Sequence, residues 1–526
     1  MTTPTARARN RRDASDRRGR ASSPGPEPAG ERIGPLLDAL TDGRAAAASD
    51  LSRLERFLAE SSPLRALALW LGDELGEHED WSDVARRLGR DIAAIDALLN
   101  DQLNAILHHQ DFQRLESSWR GLRYLVDQAD PDALLHIRVL DLSWRELVRD
   151  LERAPEFDQS QLWRKVYDEE FGMPGGRPFG ILLGDYEVYP RPGRDHPTDD
   201  IAALEGIAQV AAGAFAPFVT GAHPELFGIE RFAEMERGFD VSALFDRPEY
   251  LRWRALRQRE DARFLGLTLP RVLMRQPWEP ESTRSDHFCF REDIGPPDGR
   301  NLLWGTAVWA FGTVVMRAFA ESGWLADIRG VRPGELGAGL VAGLPESDWP
   351  TDPQGAVLRA VTDLVVTDIQ EREMTTLGFI SLCRVKDTPL AAFYGTPSLH
   401  QPPRYDEKVA MANARIASLL QYVLCASRFA HYLKVIVRDH IGLLIEAREM
   451  EDRLQRWVTD YVTPDARASP AVKARYPLRE AQVQVREQPG RPGHYYSVFH
   501  LWPHFQLDDL SASVRLRTEM GVAGQH

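Results

Sequence analysis

HYYSVFHLWPHFQLDDLSASVRLR, residues 494–517, is the stretch on which the reading of this chain turns. His500 and His504 stand four apart, with Asp508 and Asp509 close behind, which is a donor set for a metal or for acid–base chemistry if the chain folds tightly there. In an extended segment four residues span ~13 Å. A metal holds each ring nitrogen at ~2.1 Å, so the two histidines share an ion only if Pro503 turns the chain sharply. Pro503 is expected instead to interrupt a strand, because it cannot donate to a ladder. Asp508 and Asp509 suit the turn before the next strand. In LSASVRLR the alternation is strict, with Leu510, Ala512, Val514 and Leu516 on one face and Ser511, Ser513, Arg515 and Arg517 on the other. Upstream, AQVQVRE sets Val483 and Val485 opposite Gln482 and Gln484 in the same way. The stretch therefore reads as the end of an antiparallel strand meander. A terminal strand of this kind is stable only when paired and covered, and it is free to pair with a neighbouring sheet edge.

Working outward, 526 residues exceed the ~250–300 at which one hydrophobic core stops growing. The expected organisation is an Arg/Pro-rich tail over 1–31, a helical region over 32–130, an α/β core over 131–408, and a long helix with C-terminal strands over 409–526. The helical region reads as helix from Ile33 to about Leu99, interrupted at SSPLRA and GEHEDWSD. Leu98, Leu99, Leu103, Ile106 and Leu107, then Leu115, Trp119, Leu122 and Val126, recur at helical spacing and predict two amphipathic helices meeting at a bend. His108 and His109 at that bend point about 100° apart, which favours capping or surface roles over a shared metal. From Leu134 the rhythm changes. LLHIRVLDL, FGILLGDY, AVTDLVVTD, LGFISLCRV and AAFYGT read as strands, and SWRELVRDLERA reads as a helix capped by Ser143. DIAALEGIAQVAAGAFAPFV reads as a small-residue helix ended by Pro217, and Ala410 to about Val462 as the longest helix. The fold class expected is a multi-domain, mixed α/β (α+β) protein.

Composition excludes several functions. A net charge of −14 argues against a general nucleic-acid binder. The arginines from Arg7 to Arg20 are followed by Pro24, Pro26 and Pro28 with nothing apolar to bury, which reads as a solvated tail. No apolar run suits a signal peptide. LLWGTAVWAFGTVVM, Leu302–Met316, is shorter than the ~20 residues a bilayer requires and reads as a buried helix. Cys289, Cys383 and Cys425 are widely spaced and fit a reducing compartment. No GxxxxGK[ST], HExxH or GxSxG occurs, and His287 with Cys289 is a lone pair. No catalytic residue, cofactor or metal is assigned.

Six blocks carry a resemblance: ILHHQDFQRLESSWRGLRYLV, FGILLGDY, REDARFLGLTLPRVLMR, NARIASLLQYVLCASRFAHYLKVIVRDHIG, KARYPLREAQVQV and PHFQLDDLSASVRL. Lying in order from Ile106 to Leu516, they resemble the large sheath subunit of bacterial type VI secretion, the TssC/VipB/ImpC family. The Arg/Pro-rich start and Ser381, where a proline is usual, depart from it. The resemblance implies a cytoplasmic structural protein and no enzyme. It further implies pairing with a small TssB/VipA-type subunit in six-fold rings around an Hcp tube, contact with baseplate components, and recycling by a ClpV-type AAA+ ATPase acting mainly on the small subunit. On this reading Leu510, Ala512, Val514 and Leu516, with Val483 and Val485, form a strand linkage that pairs between subunits. Leu103, Leu107, Leu115 and Trp119 face the small subunit. The rivals are the sheath of a phage-like or extracellular injection machine, and a hydrolase using His431, His500 or His504.

Overall fold

The computed structural model describes residues 48–71, 81–173, 175–237, 240–279, 288–295, 299–332, 334–345, 361–386, 388, 390–438, 447–465, 467–487, 495–504 and 514–520. The expected N-terminal tail, His287, Asp508, Asp509, Leu510 and Ala512 lie outside them. The chain divides into two units, one comprising the residues up to Ile106 with Glu279–Arg291, the other Leu107–Trp278 and everything from Glu292 onward.

The first unit is helical, with α1 (Ala48–Ala59), α2 (Pro63–Leu71) and α3 (Trp81–Leu107, whose last residue belongs to the second unit). Pro63 opens α2, a position where its missing N–H is not needed. The Trp70 indole donates to Asp91 of α3 at 2.9 Å and its ring lies 5.1 Å from Phe57. Asn100 accepts the Arg291 N–H at 3.0 Å, which ties the returning segment to α3.

The second unit begins with α4 (Gln110–Asp127), α5 (Trp144–Arg153), β1 (Leu182–Val188), α6 (Asp200–Ala214), β2 (Phe218–Ala222), α7 (Leu251–Gln258), β3 (Leu265–Leu269), β4 (Val272–Leu273) and β5 (Trp304–Gly305). It continues with α8 (Val308–Ser322), β6 (Leu340–Val341), α9 (Asp368–Thr376), β7 (Phe379–Arg384), β8 (Ala391–Phe393), α10 (Lys408–Ala417), α11 (Leu420–Arg438) and α12 (Ala447–Thr459). The last strands are β9 (Leu478–Glu487), β10 (Tyr495–Pro503) and β11 (Val514–Met520). Strands β1, β2, β3 and β7 are parallel neighbours, and β8 and β6 close the sheet antiparallel. Alternation along β7 splits the core: Phe379 and Cys383 join one buried cluster with α5, α6 and α7, while Ile380 and Leu382 join the other with α8 and α11. A sheet buried on both faces is what parallel strands require.

Several expectations hold. Ser143 caps α5 with a full capping box to Glu146. α6 stops at Phe215, which takes a left-handed conformation ahead of Pro217. The apolar run around Val308 is a buried helix, and among the described residues no helix is long and apolar enough to cross a membrane.

Others are corrected. LLHIRVLDL is extended but pairs with no strand among the described residues. AVTDLVVTD contributes one isolated bridge, Thr362 to Val272. Its apolar Leu364 and Val366 are explained by burial rather than by a ladder, and Thr367 caps α9. The long helix is broken at Ser418–Leu419, because Thr396 and Ser398 take the backbone there: Leu420 N–H bonds to Thr396 O and Ser398 N–H to Ser418 O.

Candidate assembly site

The quoted C-terminal stretch and its partners form a three-stranded antiparallel sheet in the order β11–β10–β9. Register sets Phe499 opposite Val483 on one side and Leu516 on the other, and Leu501 opposite Ala481 and Val514. Positions that alternate as apolar in the sequence are thus aligned across all three strands. Val483, Val485, Phe499 and Leu501 are buried against Phe429 and Leu433 of α11 and Leu454 and Val458 of α12. Trp324 stacks on Phe429 at 4.0 Å beneath them. Val483 and Val485 therefore belong to this chain's own core.

The sheet has two unlike edges. Along β9, α12 supplies side chains in place of a further strand. Gln455 accepts the Val483 N–H at 2.8 Å and donates to Ala481 O at 3.0 Å, and Glu451 accepts the Val485 N–H at 2.8 Å. These bonds satisfy groups that would otherwise template pairing. Along β11, no strand among the described residues pairs with the outer edge.

The histidines of the stretch are kept apart. His500 lies within β10, opposite Gln482 and Arg515. His504 follows Pro503, the last residue of β10, where the register shifts. Its backbone N–H donates to Pro477 O and its ring Nε2–H to Thr463 O at 2.7 Å, which fastens the strand end.

Helix α4 presents a second unusual face. Its inner side is built of small residues and one leucine, Ser117, Gly121 and Leu125, all buried. Its outer side carries Leu115, Trp119 and Val126, which are 55%, 65% and 50% exposed. The apolar period read from the sequence is real, yet it points to solvent. Leu107 is half-buried, as is Leu103, which belongs to the other unit. At the bend, His109 Nδ1 accepts the Asp111 N–H and caps α4, while His108 turns inward to lie 3.4 Å from the buried Glu292. Sequence reading missed this inward turn because Glu292 is remote in the chain.

The carboxyl ends of β1–β3 are where α/β folds place ligands, and a group of titratable side chains gathers there. Arg271 forks onto Glu187 with two 2.6 Å bonds, and its N–H donates to Asp363 at 2.9 Å. The Tyr189 ring lies between His196 and His223, at 4.0 and 3.9 Å. A nucleophilic relay needs the base to use both ring nitrogens, one toward its acid and one toward the hydroxyl. Here Nε2 of His196 faces both Asp200, at 2.7 Å, and Thr198, at 2.8 Å, and Thr198 also bonds to Asp200 directly. The Trp144 indole donates to the same carboxylate at 2.7 Å. The arrangement is a closed network that pins α6 to α5.

His431 of α11 is buried, and its Nε2–H donates to Ala214 O at 3.0 Å. Burial pushes its pKa down from 6.5 to about 4. The unfolded chain then binds more protons between those values, so stability is lost as pH falls through this window. Asp363, pushed up to about 7 by burial, acts in the opposite sense. Urea unfolding at a series of pH values isolates the histidine by comparing the wild type with His431→Gln. The variant is expected to lose less stability on acidification, and parallel curves would refute the assignment.

Comparison with known proteins supplies the family. The model for the EvpB/VC_A0108 tail sheath N-terminal domain matches residues 89–400, and that for the tail sheath gpW/gp25-like domain matches 409–520. Over 445 residues, 84% of this chain and 87% of the relative, the sequence is 40% identical to the type VI secretion system sheath protein TssC1 of Pseudomonas aeruginosa. Among solved structures, a sheath tail protein from Desulfitobacterium hafniense aligns at 10% identity and TM-score 0.30, covering 64% of this chain and 57% of that one. The baseplate of the anti-feeding prophage aligns at 11% identity and TM-score 0.31, covering 75% and 83%. With both domain models matched in order and a relative of that identity spanning most of its length, the chain belongs to the VipB/EvpB tail sheath family, the TssC-type structural sheath proteins of type VI secretion.

Proposed function

We propose that this chain is the large subunit of a cytoplasmic contractile sheath. It co-assembles with a small TssB/VipA-type subunit in six-fold rings around an Hcp tube and contracts to drive tube and spike outward. The observation that carries the reading is the asymmetry of the C-terminal sheet. One edge is closed by Gln455 and Glu451, and the other ends on the chain's own last strand. A strand that occupies a terminal edge position can be exchanged for the same strand of a neighbour without loss of any ladder bond. In a lattice, such exchange keeps subunits attached while rigid bodies rotate between two packings. Leu510, Ala512, Val514 and Leu516 are the proposed donated positions, and Val483 and Val485 anchor the receiving sheet.

Truncation tests it. Ending the chain after Asp509 removes the strand and leaves the α11–α12 core, so particles with the small subunit should form while negative-stain images show no sheaths. Ending it after Met450 also removes Leu454, Val458 and β9, and insoluble protein is expected. Normal sheaths from the Asp509 truncation would overturn strand donation.

The outer face of α4, with Leu103 and Leu107 upstream, is the proposed small-subunit contact. An exposed tryptophan flanked by aliphatic residues has the composition of an interface anchor. Trp119→Asp is expected to reduce recovery of co-expressed small subunit by about tenfold or more. Melting of the lone chain should change little, because the side chain is mostly in water. Unchanged recovery would remove α4 from the interface.

A further inference from the structure

Residues Arg164–Gly172 form a π-helix that runs on from the short helical turn Gln161–Trp163. This conformation occurs mostly as single turns inside α-helices, often at functional sites. A backbone form so rarely adopted persists only where its surroundings impose it. Two elements do so here. At its start the Trp163 ring covers Gly213 of α6, where a Cβ would lie 2.6 Å from that ring, and Val166 packs with Ala214 and Ala216. At its end one face of α11 takes over. His431, Lys434 and Arg438 are spaced three and four apart, so they share that face. The Lys434 ammonium lies 4.0 Å from the centre of the Phe171 ring and 4.7 Å from that of Tyr167, and it donates to the Tyr167 hydroxyl at 2.9 Å. Burial lowers the Lys434 pKa to about 8, so it is charged at neutral pH. Arg438 donates to Phe171 O at 3.3 Å and to Met173 O at 2.9 Å, the kind of carbonyl that a helix end leaves unsatisfied. The His431 ring meets Phe171 edge-on at 5.5 Å.

The other contacts of α11 are apolar. Leu420 and Leu424 join the core that includes Ile380 and Leu382 of β7, while Phe429 and Leu433 carry the C-terminal sheet through Val483 and Phe499. Apolar burial is non-directional, whereas a hydrogen bond weakens steeply once its angle or length is spoiled. Arg438 also stands ~27 Å along the helix from Leu420 by helical rise. A small rotation of α11 about its embedded end therefore moves the polar contacts most, and they are the ones least able to follow. We infer that Arg164–Gly172 is a latch, closed by the cationic face of α11, that opens before either core is disturbed when the C-terminal sheet is pulled against the six-stranded sheet. The inference rests on the assembly proposed above, in which linked strands pull on that sheet while rigid bodies rotate. Closed, the latch fixes the angle of the C-terminal sheet. Open, it lets the sheet tilt without unfolding.

Amide hydrogen exchange on the full chain tests this. Arg438→Met keeps the stem and removes both carbonyl bonds, and adding Tyr167→Phe leaves the Lys434 ammonium without its hydroxyl. Amides of Tyr167–Gly172 are expected to exchange at least about tenfold faster in the double variant, while those of Leu183 on β1 and Phe499 on β10 keep wild-type rates. Arg438→Met alone should show a smaller rise at the same amides, and it decides the matter if the double variant does not fold. Unchanged exchange at Tyr167–Gly172 overturns the latch. A rise shared equally by β1 and β10 overturns it too, since that is general loosening. Negative-stain images of Arg438→Met co-expressed with the small subunit should then show a larger share of contracted sheaths than wild type. An equal share overturns the role under load. Absence of any sheath from the wild-type chain overturns the assembly reading instead, and the exchange rates of the lone chain still decide whether the latch exists.

Discussion

Replacing Arg275 with methionine is expected to lower the unfolding free energy by about 3–5 kcal/mol, the cost of stranding buried carboxylates without their counter-charge. The Arg275 side chain is only 6% exposed and forks onto Glu292, which is 1% exposed, with its Nη2 donor 2.9 Å away. Its Nε donates to Glu116 of α4 at 2.8 Å. Glu292 also accepts the Trp278 N–H at 2.9 Å, while its own N–H donates to Trp278 O. These bonds clamp the two points where the chain leaves and re-enters the second unit. Burial alone would lower the Arg275 pKa, but Glu292 and Glu116 raise it above the ordinary value, so the guanidinium stays charged. Methionine keeps the length and apolar stem but leaves two acids facing each other. Adding Glu292→Gln to the variant removes one of those charges and should recover part of the loss. Denaturant unfolding of the single and double variants measures both. The double variant proving no more stable than Arg275→Met would show that the carboxylates were not the source. Because Glu116 stands on α4, Arg275→Met should also disturb the placement of Leu115 and Trp119 on that helix.

This network illustrates what the sequence could and could not yield. Local rules were readable. The Ser143 cap, the apolar run of α8 and the alternation through Val483 and Val485 each depend on neighbours within a few residues, and the structure places them as read. Pairing over distance was not readable. Glu116 and Arg275 are 159 residues apart, and nothing in either flank announces the other.

The more instructive failures concern surfaces that nothing among the described residues covers. Period 3.6 in α4 gives an apolar face, but the rule that such a face turns inward assumes that the chain must cover it alone. Leu115, Trp119 and Val126 turn outward because Gly121 is what fits against α8 and Ser117 is what fits against Gly305 of β5. Likewise LLHIRVLDL, read as a strand, is extended but unpaired. A strand, however, is defined by its neighbour, and none pairs with it among the described residues. His108 was assigned to cap or surface because its acid, Glu292, is far along the chain.

The substitution Gly121→Val follows from the same packing and should be nearly as damaging as loss of Arg275. A Cβ at Gly121 would lie 2.2 Å from Nε1 and 2.3 Å from Cδ1 of Trp309 on α8. The fit is reciprocal, since a Cβ at Gly312 of α8 would lie 2.8 Å from Leu125 of α4 and 2.6 Å from Leu183 of β1. The helices approach closely because each offers a glycine to the other's large side chain. Trp309 cannot simply swing away. Its indole N–H donates to Asp185 at 3.1 Å, and Ser118 and Thr306 donate to the same carboxylate at 2.6 and 2.8 Å. Asp185 is raised above the usual carboxylate range by burial, and these donors hold it down against that pressure. Valine therefore adds a steric cost of about 1–3 kcal/mol to the loss of a bond to a buried acid, itself about 1.5–3 kcal/mol. Together they give about 2.5–6 kcal/mol. Gly89 on α3 is the control, because it has open space where a Cβ would go. There alanine should stabilise by about 0.5–1 kcal/mol through helix propensity alone. Denaturant midpoints of Gly121→Val, Gly121→Ala and Gly89→Ala should therefore fall in that rising order, with only Gly89→Ala above wild type. A Gly121→Val protein as stable as wild type would mean that α4 can lift away from α8 at no cost, and the outward placement of Trp119 would lose its physical reason.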